Sequence, residues 1–148
     1  MSIYRERLLP GPMIFVIAAL LIPASLLVFL PINITIGVIC AIVLYGACVV
    51  LLIVSSPWIE VTDTALLAGR ARLPIPNVGT ATGYSGNDAT AQRGPKLDAR
   101  AWLVIRGWVK PVVRVDVLDE TDPTPYWLVS TRHPNDLIAA LKKAKTSA

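Results

Sequence analysis

The sequence predicts a transmembrane α-helical hairpin followed by a small β-rich domain, a β-meander closed by a C-terminal helix. Three observations point there. Residues 13–54 contain no charged side chain in 42 positions. Beyond residue 57 short apolar or alternating runs are punctuated by Gly, Pro and Asp clusters, the pattern of strands and turns. After Pro134 the period changes, with Leu137, Ile138 and Leu141 defining one apolar face of a helix.

The charge-free stretch is too long for one span. As a single helix it would extend ~63 Å, about twice the hydrocarbon thickness of a bilayer. The sequence Leu30-Pro31-Ile32-Asn33-Ile34-Thr35 supplies the break, because Pro31 lacks an N–H and Asn33 and Thr35 favour the interface. Residues 13–30 and 34–54 are then two spans of sufficient length. Pro23 leaves the carbonyl of Ala19 without its usual donor and should kink the first span. Gly37 and Ala41, with Cys48 further along the same face, form a small-residue stripe on the second span, matched by Ala18 and Ser25 on the first. The stripe serves either packing of the two spans on each other or a seam between two copies of the chain. Cys40 and Cys48 lie eight residues apart on one helix, ~12 Å along its axis and too far for a disulfide.

Ahead of the hairpin, residues 1–12 form a lead-in carrying Arg5, Glu6 and Arg7. The following segment is long, lacks a small-x-small cleavage site and runs into a second span, so it reads as a retained helix rather than a secretory signal. Arg5 and Arg7 precede the first span, Arg70 and Arg72 follow the second, and the intervening turn is uncharged. The positive-inside rule then places both termini in the cytoplasm, as a multi-pass protein of the inner (cytoplasmic) membrane, with Tyr4 and Trp58 as interfacial anchors.

Residues 58–148 are expected to form the cytoplasmic domain. Residues 58–62 alternate and end at the turn signal Asp63-Thr64; residues 65–73 follow, bent at Gly69; a further run ends near Tyr84. Residues 85–95 read as a loop. Residues 101–105 form a near-continuous apolar run, expected of a buried strand. Residues 106–111 turn the chain into residues 112–118, which place Val113, Val115 and Val117 on one face and Arg114 and Asp116 on the other. An acidic, proline-rich loop at residues 119–125 leads to a last strand at residues 126–131. The helix that follows has Pro134 at its start, Asp136 in its first turn and Lys142, Lys143 and Lys145 near its end.

No catalytic set emerges: there is no serine–histidine–aspartate constellation, GxGxxG motif or P-loop. A single histidine, His133, and a domain without cysteine argue against zinc. Asp116, Asp119, Glu120 and Asp122 lack the glycine and spacing of an EF-hand and read as a solvated turn. No cofactor is implied. The most suggestive constellation is basic and aromatic: Arg100, Arg106, Trp108, Lys110 and Arg114 on one expected hairpin, with Tyr126 and Trp127 on the next strand. Such a set can meet phosphate headgroups or single-stranded nucleic acid, and attachment beside a bilayer favours headgroups over nucleic acid. Against headgroups, Asp98 and Asp116 stand beside it, and the domain carries 12 basic and 9 acidic residues, a net charge of only +3.

Three pieces of the sequence carry a resemblance: Tyr4-Arg5-Glu6-Arg7-Leu8; Arg93-Gly94-Pro95 with Asp98-Ala99-Arg100-Ala101; and Asp122-Pro123-Thr124-Pro125-Tyr126-Trp127-Leu128-Val129-Ser130-Thr131-Arg132. Together they resemble an actinobacterial family of small two-helix membrane proteins classed only as a domain of unknown function. The resemblance implies a membrane anchor with a cytoplasmic domain and brings no activity. The strand-then-helix order is similar to bacterial pleckstrin-homology-like domains. The expected function is a non-enzymatic, membrane-anchored interaction or scaffold module. Its partners would be the bilayer and a protein or a second copy, not nucleic acid. The alternative is a sensor of anionic lipid headgroups acting through the basic hairpin.

Overall fold

The computed structural model describes all 148 residues, Met1–Ala148. The chain divides into two compact units, one formed by Leu9–Ser56 and the other by Met1–Leu8 together with Pro57–Ala148.

The first unit is helical. Helix α1 (Pro12–Ala19) and helix α2 (Leu21–Phe29) are separated only by a break at Leu20. The break lies within one turn before Pro23, where the missing proline N–H interrupts the ladder. Helix α3 (Ile34–Val54) starts at Asn33, whose side-chain oxygen accepts the backbone N–H of Thr35 at 2.8 Å, a cap on the helix N-terminus. Asn33 thus does local work at the turn. Both helical stretches, Pro12–Phe29 and Ile34–Val54, are long and apolar enough to cross a membrane. The α2–α3 seam is made from small residues. Gly37 and Ala41 of α3 and Ser25 of α2 are buried, and a Cβ added at Gly37 would lie 3.2 Å from Phe29 Cβ. The expected small-residue face therefore packs within one chain, with Cys48 half-buried further along α3.

The second unit contains two sheets and two helices. Strands β1 (Ser2–Arg7), β2 (Trp58–Thr62), β3 (Ala65–Ala68) and β4 (Ala71–Pro74) form an antiparallel sheet in that order. Strands β5 (Val78–Tyr84), β6 (Trp102–Val104), β7 (Val112–Val117) and β8 (Tyr126–Ser130) form a second sheet in the order β5-β7-β8-β6. Helix α4 (Gly86–Arg93) follows β5, and helix α5 (Pro134–Ser147) ends the chain. Alternation along each strand sends Ile59, Val61, Leu66, Val113, Val115, Trp127 and Val129 into one core, where Leu137, Ala140, Leu141 and Ala144 of α5 join them. The opposite face of the second sheet buries Val112, Tyr126 and Leu128 with Ala89 of α4.

Four expectations are corrected here. The lead-in is not separate: Ser2–Arg7 pairs with β2 and belongs to the domain. Residues 85–95 are not simply a loop. Ser85-Gly86-Asn87-Asp88 reads as a turn but starts a helix, with Gly86 at φ 55° and Asp88 in the first turn. The meander is broken at β6, which runs parallel to β8 rather than pairing with β7. Residues 101–105 are also not a buried strand, since Trp102 and Leu103 are about 40% exposed (40% and 42%). Strand β8, buried at all five residues, takes the interior position between β6 and β7. The physical reason is the second apolar face of β8: Leu128 and Tyr126 need cover on one side while Trp127 and Val129 need it on the other.

Candidate functional site

With β8 inserted between β6 and β7, the expected basic hairpin does not exist as a hairpin. Arg100 precedes β6 and forms a two-pronged ion pair with Asp98, Nη2 to Oδ2 at 3.0 Å and Nε to Oδ1 at 3.2 Å. Hydrogen bonds from the Arg100 side chain and backbone hold the Asp98 carboxyl below its usual range, and Asp98 in turn raises Arg100. Arg114 on β7 pairs with Asp116 at 3.1 Å and lies over the Tyr126 ring, 3.9 Å from its centroid. Arg106 turns back on the chain: its backbone N–H donates to Ser130 Oγ at 3.1 Å and its Nη1 to the Ile105 carbonyl at 2.8 Å. Lys110 is exposed. Trp108 is half-buried and donates from Nε1 to the Leu8 carbonyl at 3.0 Å, joining the loop after β6 to the end of β1.

Tyr126 and Trp127 are interior residues, 3% and 4% exposed, on opposite faces of β8. The Tyr126 hydroxyl accepts the Asp98 N–H at 2.8 Å and donates to the Lys96 carbonyl at 3.4 Å. Trp127 stands 6.3 Å from Trp102, ring centroid to centroid. The acidic loop is self-satisfied: Asp119 accepts the Thr121 hydroxyl at 2.6 Å and backbone N–H at 2.9 Å, which hold its carboxyl below the usual range. Asp119 also accepts from Asn77 at 3.2 Å, and Asp122 accepts the Thr124 N–H at 2.8 Å. No group of three or more His, Cys, Asp or Glu side chains is arranged to hold a metal ion.

Sequence reasoning did not find a polar cluster on β1 and the end of β8. The Glu6 carboxylate, on a side chain only 10% exposed, accepts the Tyr4 hydroxyl at 2.7 Å and the Thr131 hydroxyl at 2.6 Å through Oε2. Its Oε1 accepts the Arg132 N–H at 3.0 Å. Thr131 Oγ1 also accepts the His133 N–H at 3.1 Å. Burial, with the neighbouring Glu6 carboxylate, pushes the Tyr4 hydroxyl far above its ordinary range. A carboxylate holding three donors from segments about 125 residues apart is a clasp that fixes the first strand to the start of α5. The signal was present in the sequence as motif pieces. Tyr4-Arg5-Glu6-Arg7-Leu8 meets Thr131-Arg132 at one end of β8, and Asp98 meets Tyr126 at the other. The three pieces are therefore bonded to one another through β8.

No curated protein and no solved structure matches the chain. A family model described as "Protein of unknown function (DUF3093)" matches residues 3–141, from the first strand into the last helix, and the chain belongs to that family.

Proposed function

We propose that this protein is a membrane-anchored, non-enzymatic interaction module, with α1–α3 crossing the bilayer as a hairpin and the domain held at the cytoplasmic face. The observation that carries the reading is the inverted burial of the helical unit. Ser25, Gly37 and Ala41 are inside, while Leu27, Ile42, Val43 and Leu51 are each at least 60% exposed. In water such a surface is costly, and in hydrocarbon it is the favoured arrangement. The pairing of β1 with β2 supports a common side for both ends of the hairpin, because the strands leading into and out of it are neighbours in one sheet. Arg5, Arg7, Arg70 and Arg72 then favour the cytoplasmic side. The helix that closes the strand series supports a distant pleckstrin-homology-like relationship, from which the parallel β6 departs.

The interaction surface is the free edge of β6, which presents Trp102 and Leu103 beside unpaired strand backbone. Edge strands of this kind accept an added strand from a partner or a second copy. Headgroup sensing through Arg100 and Arg114 is disfavoured, because Asp98 and Asp116 already neutralise those two charges.

Two measurements test this. Carbonate washing of membranes should leave the full chain in the pellet, and extraction into the supernatant would sink the anchor. A photo-crosslinking residue at Leu103 in those membranes should give an adduct of twice the chain's mass for a second copy, or a discrete heavier one for a partner. Crosslinking to lipid alone would overturn the docking edge.

A further inference from the structure

Strand β5 is one edge of the second sheet, and α5 lies along it. Gly83 sits under the start of α5, where an added Cβ would lie 3.2 Å from Pro134 Cβ. At the far end of the helix Lys145 donates from Nζ to the Gly79 carbonyl at 2.8 Å. Gly79 and Ala81 put almost no side chain beneath α5, and a groove of about 450 Å³ opens there. Leu118, Ile138 and Leu141 make its walls apolar, and Lys142 and Lys145 stand on it. Leu118, just past the end of β7, is 61% exposed, one of only four large apolar side chains left open in residues 57–148. The acidic loop begins at the same leucine. Asp119 is engaged by Thr121 and Asn77, and Asp122 by the Thr124 N–H. Glu120 is exposed and makes no ion pair, and Lys142 is exposed and makes none either.

We propose that this groove and the acidic loop beside it form a two-fold interface with a second copy of the chain, Lys142 of each copy meeting Glu120 of the other and Leu118 packing on Leu118 at the axis. Charge complementarity decides the occupant. A basic, apolar-walled groove and an acidic loop meet at one exposed leucine. A two-fold axis beside that leucine sets each against its opposite, because in such an interface residue i meets j while j meets i. Both uncompensated charges then find partners in one step. An acidic segment of another protein would satisfy Lys142 and leave Glu120 open. Burial of Leu118 and the groove walls supplies the apolar driving force, and the paired rim charges fix the register. This surface lies at the opposite edge of the sheet from β6 and does not depend on the docking edge proposed there.

The dimer fraction of the full chain in mild non-ionic detergent would be measured by sedimentation, and the copies told apart by two tags. The wild type should dimerise. Lys142→Glu sets like charges together at both symmetric contacts, as does Glu120→Lys, and each alone should weaken the dimer about tenfold or more. Mixing the two variants restores opposite charges at both contacts, so the mixture should form dimers of one copy each with nearly the wild-type affinity. A monomeric wild type would overturn the proposal, as would undiminished dimerisation of either variant or a mixture that pairs no better than its components. Both positions are exposed, so the melting temperature should stay where it is. Should either reversal melt early, Lys142→Gln and Glu120→Gln decide instead. Each should weaken the dimer about fivefold, and wild-type affinity in both would overturn the proposal equally. Crosslinking at Leu103 reports the β6 edge and is read separately.

Discussion

The helical unit and the sheet domain follow opposite burial rules within one chain. In the domain, Ile59, Leu66, Leu128 and Leu137 are fully buried, and the charged side chains lie outside except where, as at Glu6, a polar cluster takes them in. Within helices α1–α3 the buried positions are Ser25, Gly37 and Ala41, and most leucines and isoleucines face outward. On the membrane-anchored reading proposed above, the contrast has one cause: large apolar side chains are driven inside only where water is the alternative. Where lipid is the alternative, close backbone approach decides what is inside, and only small residues allow it.

The sharpest way to break this comparison is to make one substitution in both regions. Leu128→Ala should destabilise the domain by about 2–5 kcal/mol through the cavity it leaves. Leu27→Ala, at a position 72% exposed, should change helical-unit stability by less than about 0.5 kcal/mol. All four tryptophans lie outside residues 9–56, so tryptophan fluorescence during denaturation in detergent reads the domain, and far-ultraviolet helicity that outlasts that transition reads α1–α3. A large loss from Leu27→Ala would mean that the outward face of α2 is packed against protein.

A smaller effect is expected from overfilling the seam. Gly37→Ile drives side-chain atoms into Phe29 and Leu26 and should cost about 1–3 kcal/mol, whereas Gly46, with open space around it, should accept the same change. A membrane-permeant maleimide should then label the half-buried Cys40 and Cys48 faster in the Gly37 variant than in the Gly46 variant. Equal rates would mean that the seam is not formed at Gly37.

The domain's counterpart to that seam is polar. Glu6→Ala removes the acceptor of the Tyr4 and Thr131 hydroxyls and should cost about 1–3 kcal/mol. Limited proteolysis should then release the first strand early; a wild-type digestion pattern would mean that the clasp does not hold it.

Alkaline pH probes the same cluster more gently. The folded Tyr4 hydroxyl titrates above its ordinary value of 10.0, chiefly because burial disfavours the phenolate. Its contribution is complete below the unfolded value and is lost as pH rises through the folded one, so melting temperature should fall above pH 10. Tyr4→Phe should show a shallower fall, and parallel curves would remove Tyr4 from the linkage. The smallest effect is expected at Asp98→Asn, where an exposed ion pair is lost and the melting temperature should not move measurably.

The hairpin and the last helix were legible because their signals are local. A charge-free run, a proline turn and an apolar face at helical spacing are all complete within a few turns of chain. The alternation of Val113 and Val115 against Arg114 and Asp116 was legible for the same reason. The basic constellation was misjudged in space, because adjacency in sequence suggested a hairpin where β8 lies between the two strands. Arg5, Arg7 and Trp58 were legible only as separate interfacial residues, since nothing local says that residue 7 pairs with residue 58.

Composition and period along short stretches were enough to locate the long apolar segment, the proline turn within it and the buried face of β7. The tertiary structure alone decided that the first strand completes a sheet begun after the hairpin, that β8 separates β6 from β7, and that Glu6 gathers Tyr4, Thr131 and Arg132. The reason is physical: strand order and buried polar pairing are settled by competition among distant segments for the same edges and donors, and no segment carries the outcome of that competition in its own residues.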